Sequence, residues 1–213
     1  MNRLLKIDEL VISEHYYLKV GDECYYFMEY ESGAGFSAST ANSLISNFKK
    51  SNSFKGQSSW KYKGHAISKI AGVFTESLAD FIDFDSATLV PMPPSKIKSN
   101  PDHDDRMLKA LNQWNLHCNG KVRELILLRE DMDAVHESAK RATPSELKEN
   151  MFINEKLTSD LDEKIFLFDD VVTTGAHFVA CRDLLLDRFP DKEVVGIFVA
   201  RRKISSKMFD DLF

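Results

Sequence analysis

Apolar residues along the chain fall into short continuous runs separated by longer stretches with helical periodicity. The run at 165–168 contains four apolar residues in succession, which suits a strand covered on both faces, as in a parallel sheet. Further strands are predicted at 87–90, 122–128 and 194–199. Because strands and helices alternate in this order, the sequence predicts an α/β fold with a mostly parallel, twisted sheet flanked by helices.

Helices are predicted where apolar residues recur every three or four positions, or where capping residues precede such a stretch. The longest apolar stripe consists of Ile67, Ile70, Ala71, Phe74, Leu78 and Phe81. We expect this face to pack on the sheet. Capping residues at Ser39 and Thr143 predict two helices that run to about Lys50 and Asn150. Another helix is expected after the strand at 165–168, with Pro190 ending it.

The N-terminal residues have the alternating pattern of an antiparallel hairpin. Residues 16–20 and 23–28 read as its strands, and Gly21-Asp22 reads as its turn. This segment precedes the alternating strands and helices, so we expect two units: an N-terminal hairpin and helix at 1–60, and a core at 61–213.

Composition restricts the class of protein without naming it. The chain has 213 residues, of which 43% are apolar and 29% charged, as in an ordinary globular protein. Its net charge of −5 does not indicate a protein that binds nucleic acid or an acidic membrane through its overall charge. Cys24, Cys118 and Cys181 form no CxxC pair, which indicates reduced thiols and no zinc site. With no signal-peptide pattern at the N-terminus, these features predict a cytoplasmic location.

Two carboxylates and a turn of small residues follow the strand at 165–168. Asp169 and Asp170 stand where that strand is expected to end, and ligands of parallel sheets bind at this edge. The turn at 172–176 can aim backbone N–H groups and threonine hydroxyls at one anion near a helix N-terminus. Gly175 lets the backbone approach that anion closely. The sequence therefore predicts a phosphate cradle beside two acids.

The acids themselves need a ligand, because negative groups would repel a phosphate alone. Ribose supplies one, since its 2′- and 3′-hydroxyls can donate hydrogen bonds to the carboxylates while its 5′-phosphate lies in the turn. A nucleoside triphosphate site fits worse, because Ala176-His177 stands where a Walker A loop has Lys and Ser or Thr. The pattern favours ribose 5-phosphate, with a buried strand and turn that bind nothing as the alternative.

The residues from Ile165 to Gly175 resemble, without a gap, the phosphoribosyl-pyrophosphate (PRPP) motif of the type I phosphoribosyltransferases. That motif is an apolar strand, two acids, two small apolar residues and Thr-Thr-Gly. His177 departs from it, because the family has Thr or Ser there. Broader similarity over about residues 60 to 200 indicates the ComF-like branch. It is carried by Lys61-Tyr62-Lys63-Gly64, Val90-Pro91-Met92-Pro93, and Arg141-Ala142-Thr143-Pro144 with Asn150 and Phe152. The zinc-binding cysteines at the start of many ComF-like proteins are absent, and the hairpin stands in their place.

The resemblance implies a type I phosphoribosyltransferase fold with a small N-terminal hood containing the β-hairpin. In this superfamily the hood selects the base or other acceptor. The aromatic residues of the predicted hairpin are Tyr16, Tyr17, Tyr25, Tyr26 and Phe27. They could stack on a base, but alternating aromatics also suit half-buried packing.

Site residues follow from the resemblance by position. Asp169 and Asp170 would orient the ribose and stabilise positive charge on the sugar in the transition state. Lys96 and His136 are further catalytic candidates. The residues expected to bind the 5′-phosphate are Val172, Thr173, Thr174, Gly175, Ala176 and His177. Those expected to bind pyrophosphate are Ser95, Lys96, Arg106 and Arg141, and residues 129–142 are expected to close over PRPP as a lid.

Several of these assignments have a structural alternative. Ser95 and Lys96 also suit a proline-bounded strand end with solvated lysines, and the acids before Arg106 also suit the first turn of a helix. A histidine such as His136 in a polar loop is also explained by solvation. The basic run at 201–203 either helps to hold substrate or forms a solvated turn.

The implied activity is that of a glycosyltransferase of nucleotide metabolism. Phosphoribose would pass from PRPP to a nucleobase-like acceptor, with release of pyrophosphate. Mg²⁺ is the implied cofactor, held through the substrate, with Asp169 and Asp170 left open as further ligands. PRPP and a small-molecule acceptor are the expected partners, a membrane is not, and nucleic acid and a homodimer are left open. Two other functions stay open: a sensor that binds PRPP or a nucleotide without turnover, and a ComF-like role in nucleic-acid handling.

Overall fold

The computed structural model describes residues 3–132 and 142–203, which form a mixed α/β structure. Its strands are β1 (Leu5–Lys6), β2 (Cys24–Glu31), β3 (Ala87–Pro91), β4 (Lys121–Val122), β5 (Ile126–Leu128), β6 (Met151–Ile153), β7 (Lys164–Val172) and β8 (Glu193–Lys203). Six of them form one sheet in the order β1-β2-β8-β7-β3-β4. β1 is antiparallel to β2, and every other neighbouring pair in this sheet is parallel. The expected mostly parallel sheet is confirmed.

Helices cover both faces of this sheet. They are α1 (Thr40–Phe48), α2 (Lys61–Leu78), α3 (Arg106–Asn115), α4 (Pro144–Glu149) and α5 (Ala176–Arg188). Short 3-10 turns lie at Ile12–Glu14, Asn52–Phe54, Ser58–Trp60 and Glu155–Leu157. Buried residues of α1, α2 and α3 share one apolar cluster, and those of α5 belong to a second cluster on the other side. We refer to these sides as the α1–α3 face and the α5 face.

The strand β7 feeds both clusters because successive side chains of a strand point to opposite sides. Phe168 lies in the cluster of the α1–α3 face, where its ring centroid is 5.4 Å from that of Phe74. Leu167 lies in the cluster of the α5 face together with Phe178. Both residues are fully buried, so the continuous apolar run predicted from the sequence reflects a strand covered on both sides.

The helix predictions that rest on capping residues are confirmed. The Ser39 side chain accepts a hydrogen bond from the Asn42 N–H at 3.0 Å and caps α1. Thr143 and Glu146 form the reciprocal capping box at the start of α4. The apolar stripe of α2 packs on the sheet as expected, although Phe81 lies beyond the end of the helix and is exposed.

The predicted N-terminal hairpin is wrong. Residues 16–20 form no strand, and β2 is a member of the main sheet, where it pairs in parallel with β8. Asp22 N–H does donate to the Lys19 carbonyl, so the turn is real, but it connects an irregular segment to β2. In this segment His15 and Leu18 are buried whereas Tyr16 and Val20 are exposed, a spacing of three that differs from the period of two of a strand. The boundary proposed at residue 60 stays a prediction.

Two further strand assignments need correction. Residues 122–128 do not form one strand, because β4 pairs with β3 whereas β5 pairs antiparallel with β6 in a separate two-stranded sheet. The basic run at 201–203 does not follow the last strand but belongs to β8, and Arg201 is buried. Arg201 is held by Glu14 and Glu29 at 3.1 and 2.5 Å, so the alternative of a solvated turn is also wrong for this residue. Within the described part of the chain, no helix is long and apolar enough to cross a membrane.

The order in which successive strands are added to the sheet reverses between the neighbouring parallel strands β3 and β7. After β3 the chain passes through α3 to β4 on one side, and after β7 it passes through α5 to β8 on the other. The two connecting helices pack on opposite faces, as right-handed crossovers require. Ligands of open α/β sheets bind in the crevice beyond the strand ends at such a reversal. A ligand site is therefore expected among the residues that follow β3 and β7.

Candidate functional site

The loop between β7 and α5 is a tight turn at this reversal point. Val172 ends β7 and Ala176 begins α5, so only Thr173, Thr174 and Gly175 connect the strand to the helix. Gly175 has φ = +83°, in the left-handed region that favours glycine. A Cβ at this position would also lie 2.6 Å from Cγ of Leu18, so the turn accepts no side chain here.

The helix α5 presents its N-terminus at the end of this loop. The first N–H groups of an α-helix have no partner within the helix, and the helix dipole favours an anion near them. Gly175 supplies no side chain that would occupy them, and Thr173 is exposed. Val172 and Ala176 are buried and contribute backbone rather than side-chain groups. The turn offers N–H groups and threonine hydroxyls to an anion, although the Ala176 N–H lies 3.5 Å from Oγ1 of Thr174, and anion binding here stays a prediction.

Asp170 lies on the α1–α3 face and is buried among cations. Its Oδ2 accepts hydrogen bonds from Nη2 and Nε of Arg106 at 2.6 and 3.1 Å, and its Oδ1 accepts one from Nζ of Lys49 at 2.9 Å. Burial alone favours the neutral acid, but the Arg106 guanidinium and the Lys49 ammonium lower the pKa of Asp170 far below its ordinary value. The carboxylate is therefore charged and fully engaged by the protein.

A second acid continues this network. Asp104 accepts hydrogen bonds from Nη1 of Arg106 at 2.6 Å and from Nζ of Lys63 at 2.7 Å. Lys63 is buried and also donates to the Lys50 carbonyl at 2.7 Å. Burial lowers the pKa of Lys63 against the opposing effect of Asp104. One chain of alternating charges thus joins the end of α1 with α2, α3 and β7, and it is mostly buried, with the Lys49 side chain 48% exposed.

Asp169 lies on the α5 face and has a different environment. Its Oδ2 is 3.0 Å from Nδ1 of His177, and its Oδ1 accepts the N–H of Asp170 at 2.7 Å. The two side chains of this pair stay 23% and 26% exposed, so the pair borders solvent. Burial of the ring favours neutral imidazole, but the neighbouring Cys181 sulfur and the Asp169 carboxylate raise the pKa of His177 well above its ordinary value. The ring is therefore protonated more readily than an ordinary histidine.

The loop after β3 is organised by one acid. Asp131 accepts hydrogen bonds from the Ile97 N–H at 2.8 Å and from the Asn100 side chain, and Nζ of Lys96 lies 3.7 Å from it. The Ser95 carbonyl accepts the N–H of Met132 at 2.8 Å. The backbone hydrogen bond from Ile97, with the amide of Asn100 and the charge of Lys96, lowers the pKa of Asp131. Lys96 borders a cavity of about 320 Å³ between this loop, α3 and the small sheet.

The structure brings some of the predicted residues together and separates others. Asp169, His177 and the turn at 172–176 form one neighbourhood. Asp170 and Arg106 form a second, in which Arg106 binds carboxylates rather than facing an open pyrophosphate site. Ser95 and Lys96 lie in the loop after β3. His136 and Arg141, with most of the predicted lid, lie outside the described residues.

Sequence reasoning missed two residues of this site. Lys49 reaches Asp170 from the end of α1, and His15 reaches the carbonyl of Thr173 from the N-terminal segment. Both contacts join residues more than a hundred positions apart. No local pattern marks them, because a lysine after an amphipathic helix and a lone histidine are ordinary surface features in sequence.

Asp170 does not fit as a direct ligand for the Mg²⁺ that the resemblance implies, and Asp169 could bind it only by giving up its contact with His177. Both oxygens of Asp170 already accept hydrogen bonds from cationic groups. One oxygen of Asp169 accepts a backbone N–H and the other faces His177. Within the two described ranges, no group of three His, Cys, Asp or Glu side chains is arranged to hold a metal ion.

Comparison with known proteins adds no family assignment. No family model matches the chain, and no curated protein matches it. The site's geometry therefore has to carry the functional argument.

Proposed function

We propose that this protein is a phosphoribosyltransferase of the type I fold, in the ComF-like branch, acting on PRPP and a nucleobase-like acceptor. One observation carries the proposal. A turn containing Gly175 follows β7 and leads into the N-terminus of α5, at the point where the strand order reverses. Asp169 lies beside this turn. A phosphate and a polyhydroxyl group would both find partners within this short stretch.

The residues take distinct roles in this proposal. Backbone N–H groups of the turn and the hydroxyls of Thr173 and Thr174 hold the 5′-phosphate. Asp169 accepts hydrogen bonds from the ribose hydroxyls and stabilises the positive charge that develops on the sugar as pyrophosphate leaves. His177, which lies beside Asp169, takes the place of the hydroxyl of the motif, and its raised pKa favours a positive charge near the phosphate.

Asp170 has a supporting role in the same proposal. It places the side chains of Arg106 and Lys49 at the end of β7, where an anionic substrate is proposed to bind. Lys96 is the candidate for the leaving pyrophosphate, because it lies in the loop after the neighbouring strand β3. Mg²⁺ would neutralise pyrophosphate while bound to substrate oxygens, and we assign it no protein ligand.

The proposal is tested by calorimetric binding of PRPP, with and without Mg²⁺, together with an assay of pyrophosphate release against a panel of nucleobases. The decisive variant is Asp169→Asn, which keeps an oxygen for the Asp170 N–H but removes the charge. We expect PRPP affinity to fall about tenfold or more, which corresponds to about 1.4 kcal/mol. Asp187→Asn is the matched control, because this exposed carboxylate lies near the far end of α5. Absence of PRPP binding to the parent protein would refute the proposal.

The buried network supports a second candidate, a protein that binds PRPP or a nucleotide without turnover. Asp170 is held by two cations and is not open to a ribose hydroxyl. A site with one available acid instead of two favours binding over catalysis. Pyrophosphate release separates the candidates: release triggered by one base identifies the enzyme and its acceptor, whereas binding with no release across the panel favours the sensor.

A further inference from the structure

The N-terminal segment that contains His15 packs against the turn at 172–176 and is partly buried. His15 is completely buried, and its Nδ1 lies 2.5 Å from the carbonyl oxygen of Thr173. Because a carbonyl can only accept, Nδ1 carries the proton, and in the neutral ring Nε2 carries none. Among the described residues Nε2 has no hydrogen-bond partner, although it is buried. The packing of this ring is therefore directed to one contact, the Thr173 carbonyl.

Two neighbours of His15 hold the next part of the turn. The Tyr17 N–H donates to the Thr174 carbonyl at 2.8 Å. Leu18 is buried and fills the space where a side chain on Gly175 would have to lie. Three consecutive residues of the turn are thus contacted by one short segment.

The segment itself is anchored to the sheet. Glu14 accepts a hydrogen bond from Arg201 of β8 at 3.1 Å, and Arg201 is also held by Glu29 of β2. Local hydrogen bonds from the His15 N–H to the Ile12 carbonyl and from the Leu18 N–H to the His15 carbonyl fix its own shape. His15 therefore meets the turn from a rigid support.

The direction of these contacts fixes the direction of the turn's N–H groups. In a trans peptide the C=O and the following N–H point in opposite directions. Because the carbonyls of Thr173 and Thr174 point at the segment with His15, the N–H groups of Thr174 and Gly175 point away from it. On that side they are not taken up by the segment, and an anion bound at the start of α5 could accept them.

We propose that His15 is a positioning residue, which aims the N–H groups of Thr174 and Gly175 at the 5′-phosphate by holding the Thr173 carbonyl. This inference rests on the proposed function, since it assumes a 5′-phosphate in the turn. Burial lowers the pKa of His15, which keeps the ring neutral and the contact unchanged near neutral pH. The same donor also satisfies the Thr173 carbonyl, so the test has to separate positioning of the phosphate from general support of the fold.

The test compares variants that keep or move the donor. His15→Asn retains an amide nitrogen at the place of Nδ1, whereas His15→Gln places it near Nε2 and His15→Leu removes it. Calorimetry with ribose 5-phosphate and, separately, with pyrophosphate reports each half of the proposed site. We expect ribose 5-phosphate affinity to fall about tenfold in the Gln and Leu variants and to stay within about threefold of the parent in the Asn variant. Pyrophosphate affinity is expected to stay unchanged in all three.

Controls separate this inference from the proposed function. Tyr16→Ala changes an exposed residue of the same segment and should leave ribose 5-phosphate binding unaltered. If the parent binds ribose 5-phosphate and His15→Gln binds it equally well, the positioning role is refuted and the proposed function stands. If affinity for both ligands falls together, His15 supports the fold in general, and the inference is refuted as well. If the parent binds no ribose 5-phosphate, both proposals fail. A Leu variant that does not fold leaves the Asn and Gln pair to decide.

Discussion

At the end of β7, the acidic side chains on the two faces of the sheet differ in burial and in their charged partners. On the α1–α3 face, Asp170 is buried and bonded to Arg106 and Lys49. On the α5 face, the adjacent Asp169 borders solvent, and its ion-pair partner within the described ranges is His177. Neighbouring residues of a strand point to opposite sides, so a pair of acids in sequence becomes two separate environments in the fold.

This difference divides the two acids into a supporting group and an accessible one. A buried carboxylate with two cationic partners stabilises the local structure only while all partners are present. A partly exposed carboxylate can exchange a protein partner for a ligand at a lower cost in desolvation. The family resemblance alone would treat the two acids as equivalent, and the predictions below test whether they are.

The largest effect is expected from Asp170→Asn. This substitution leaves Arg106 and Lys49 near a neutral amide in a buried site, and breaking a buried ion pair in this way costs about 3–5 kcal/mol. We expect the free energy of unfolding, measured by urea denaturation, to fall by about this amount.

Asp169→Asn is the matched comparison. It keeps the acceptor for the Asp170 N–H and loses the charge opposite His177, so we expect a loss of about 1 kcal/mol or less in the free energy of unfolding. Equal losses in the two variants would show that the faces do not differ in the way described, and the separation of roles would have to be abandoned.

An effect between those of Asp170→Asn and Asp169→Asn is expected from Gly175→Ala, which tests how tightly the α5 face supports the turn. The left-handed backbone costs about 1–2 kcal/mol for alanine, and the contact with Leu18 adds a steric penalty of similar size. We expect thermal unfolding to show a loss of about 2–4 kcal/mol in all. Adding Leu18→Ala relieves the contact but not the backbone strain, so the double variant should lose less than the two single losses combined. Simple additivity would contradict the packing seen here.

Much of the site's local structure could be predicted from the sequence because its signals are local. The apolar run before Asp169, the glycine in the turn and the capping box at Thr143 each depend on neighbours within a few residues, and all three match the structure. The sheet's mostly parallel arrangement follows from the alternation of strands and helices in the same way.

The partners of the acids could not be predicted, because they come from distant parts of the chain. Lys49 is 121 positions from Asp170, and His15 is 158 positions from Thr173. The false hairpin has a related cause. Aromatic and apolar residues at 16–20 suggested a strand, but these residues form none, and Leu18 packs on Gly175 of the turn instead.

The smallest expected effect is the pH dependence of the free energy of unfolding, which also differs between residues of the two faces. Asp170 stays charged from mildly acidic to alkaline pH because its pKa is lowered, so the deficit of Asp170→Asn should be constant between about pH 5 and 9. The pKa of His177 is raised by the neighbouring Cys181 sulfur and Asp169 against the effect of burial. Its pairing therefore stabilises the fold fully below about pH 6.5 and is lost as the pH rises through the raised value.

His15, on the same α5 face, changes stability with pH in the opposite direction. Burial and the charges of Arg201 and Arg202 lower its pKa, and the Thr173 carbonyl and Glu14 only partly oppose them. The unfolded chain therefore takes up a proton below about pH 6.5 that the folded chain does not, and stability falls with falling pH. Urea denaturation from pH 5 to 9 should show the deficit of His177→Asn shrinking as pH rises. Over the same range, His15→Asn should gain in stability relative to the parent as pH falls. Parallel profiles for the two variants would mean that the histidines share one environment, against the geometry of the turn.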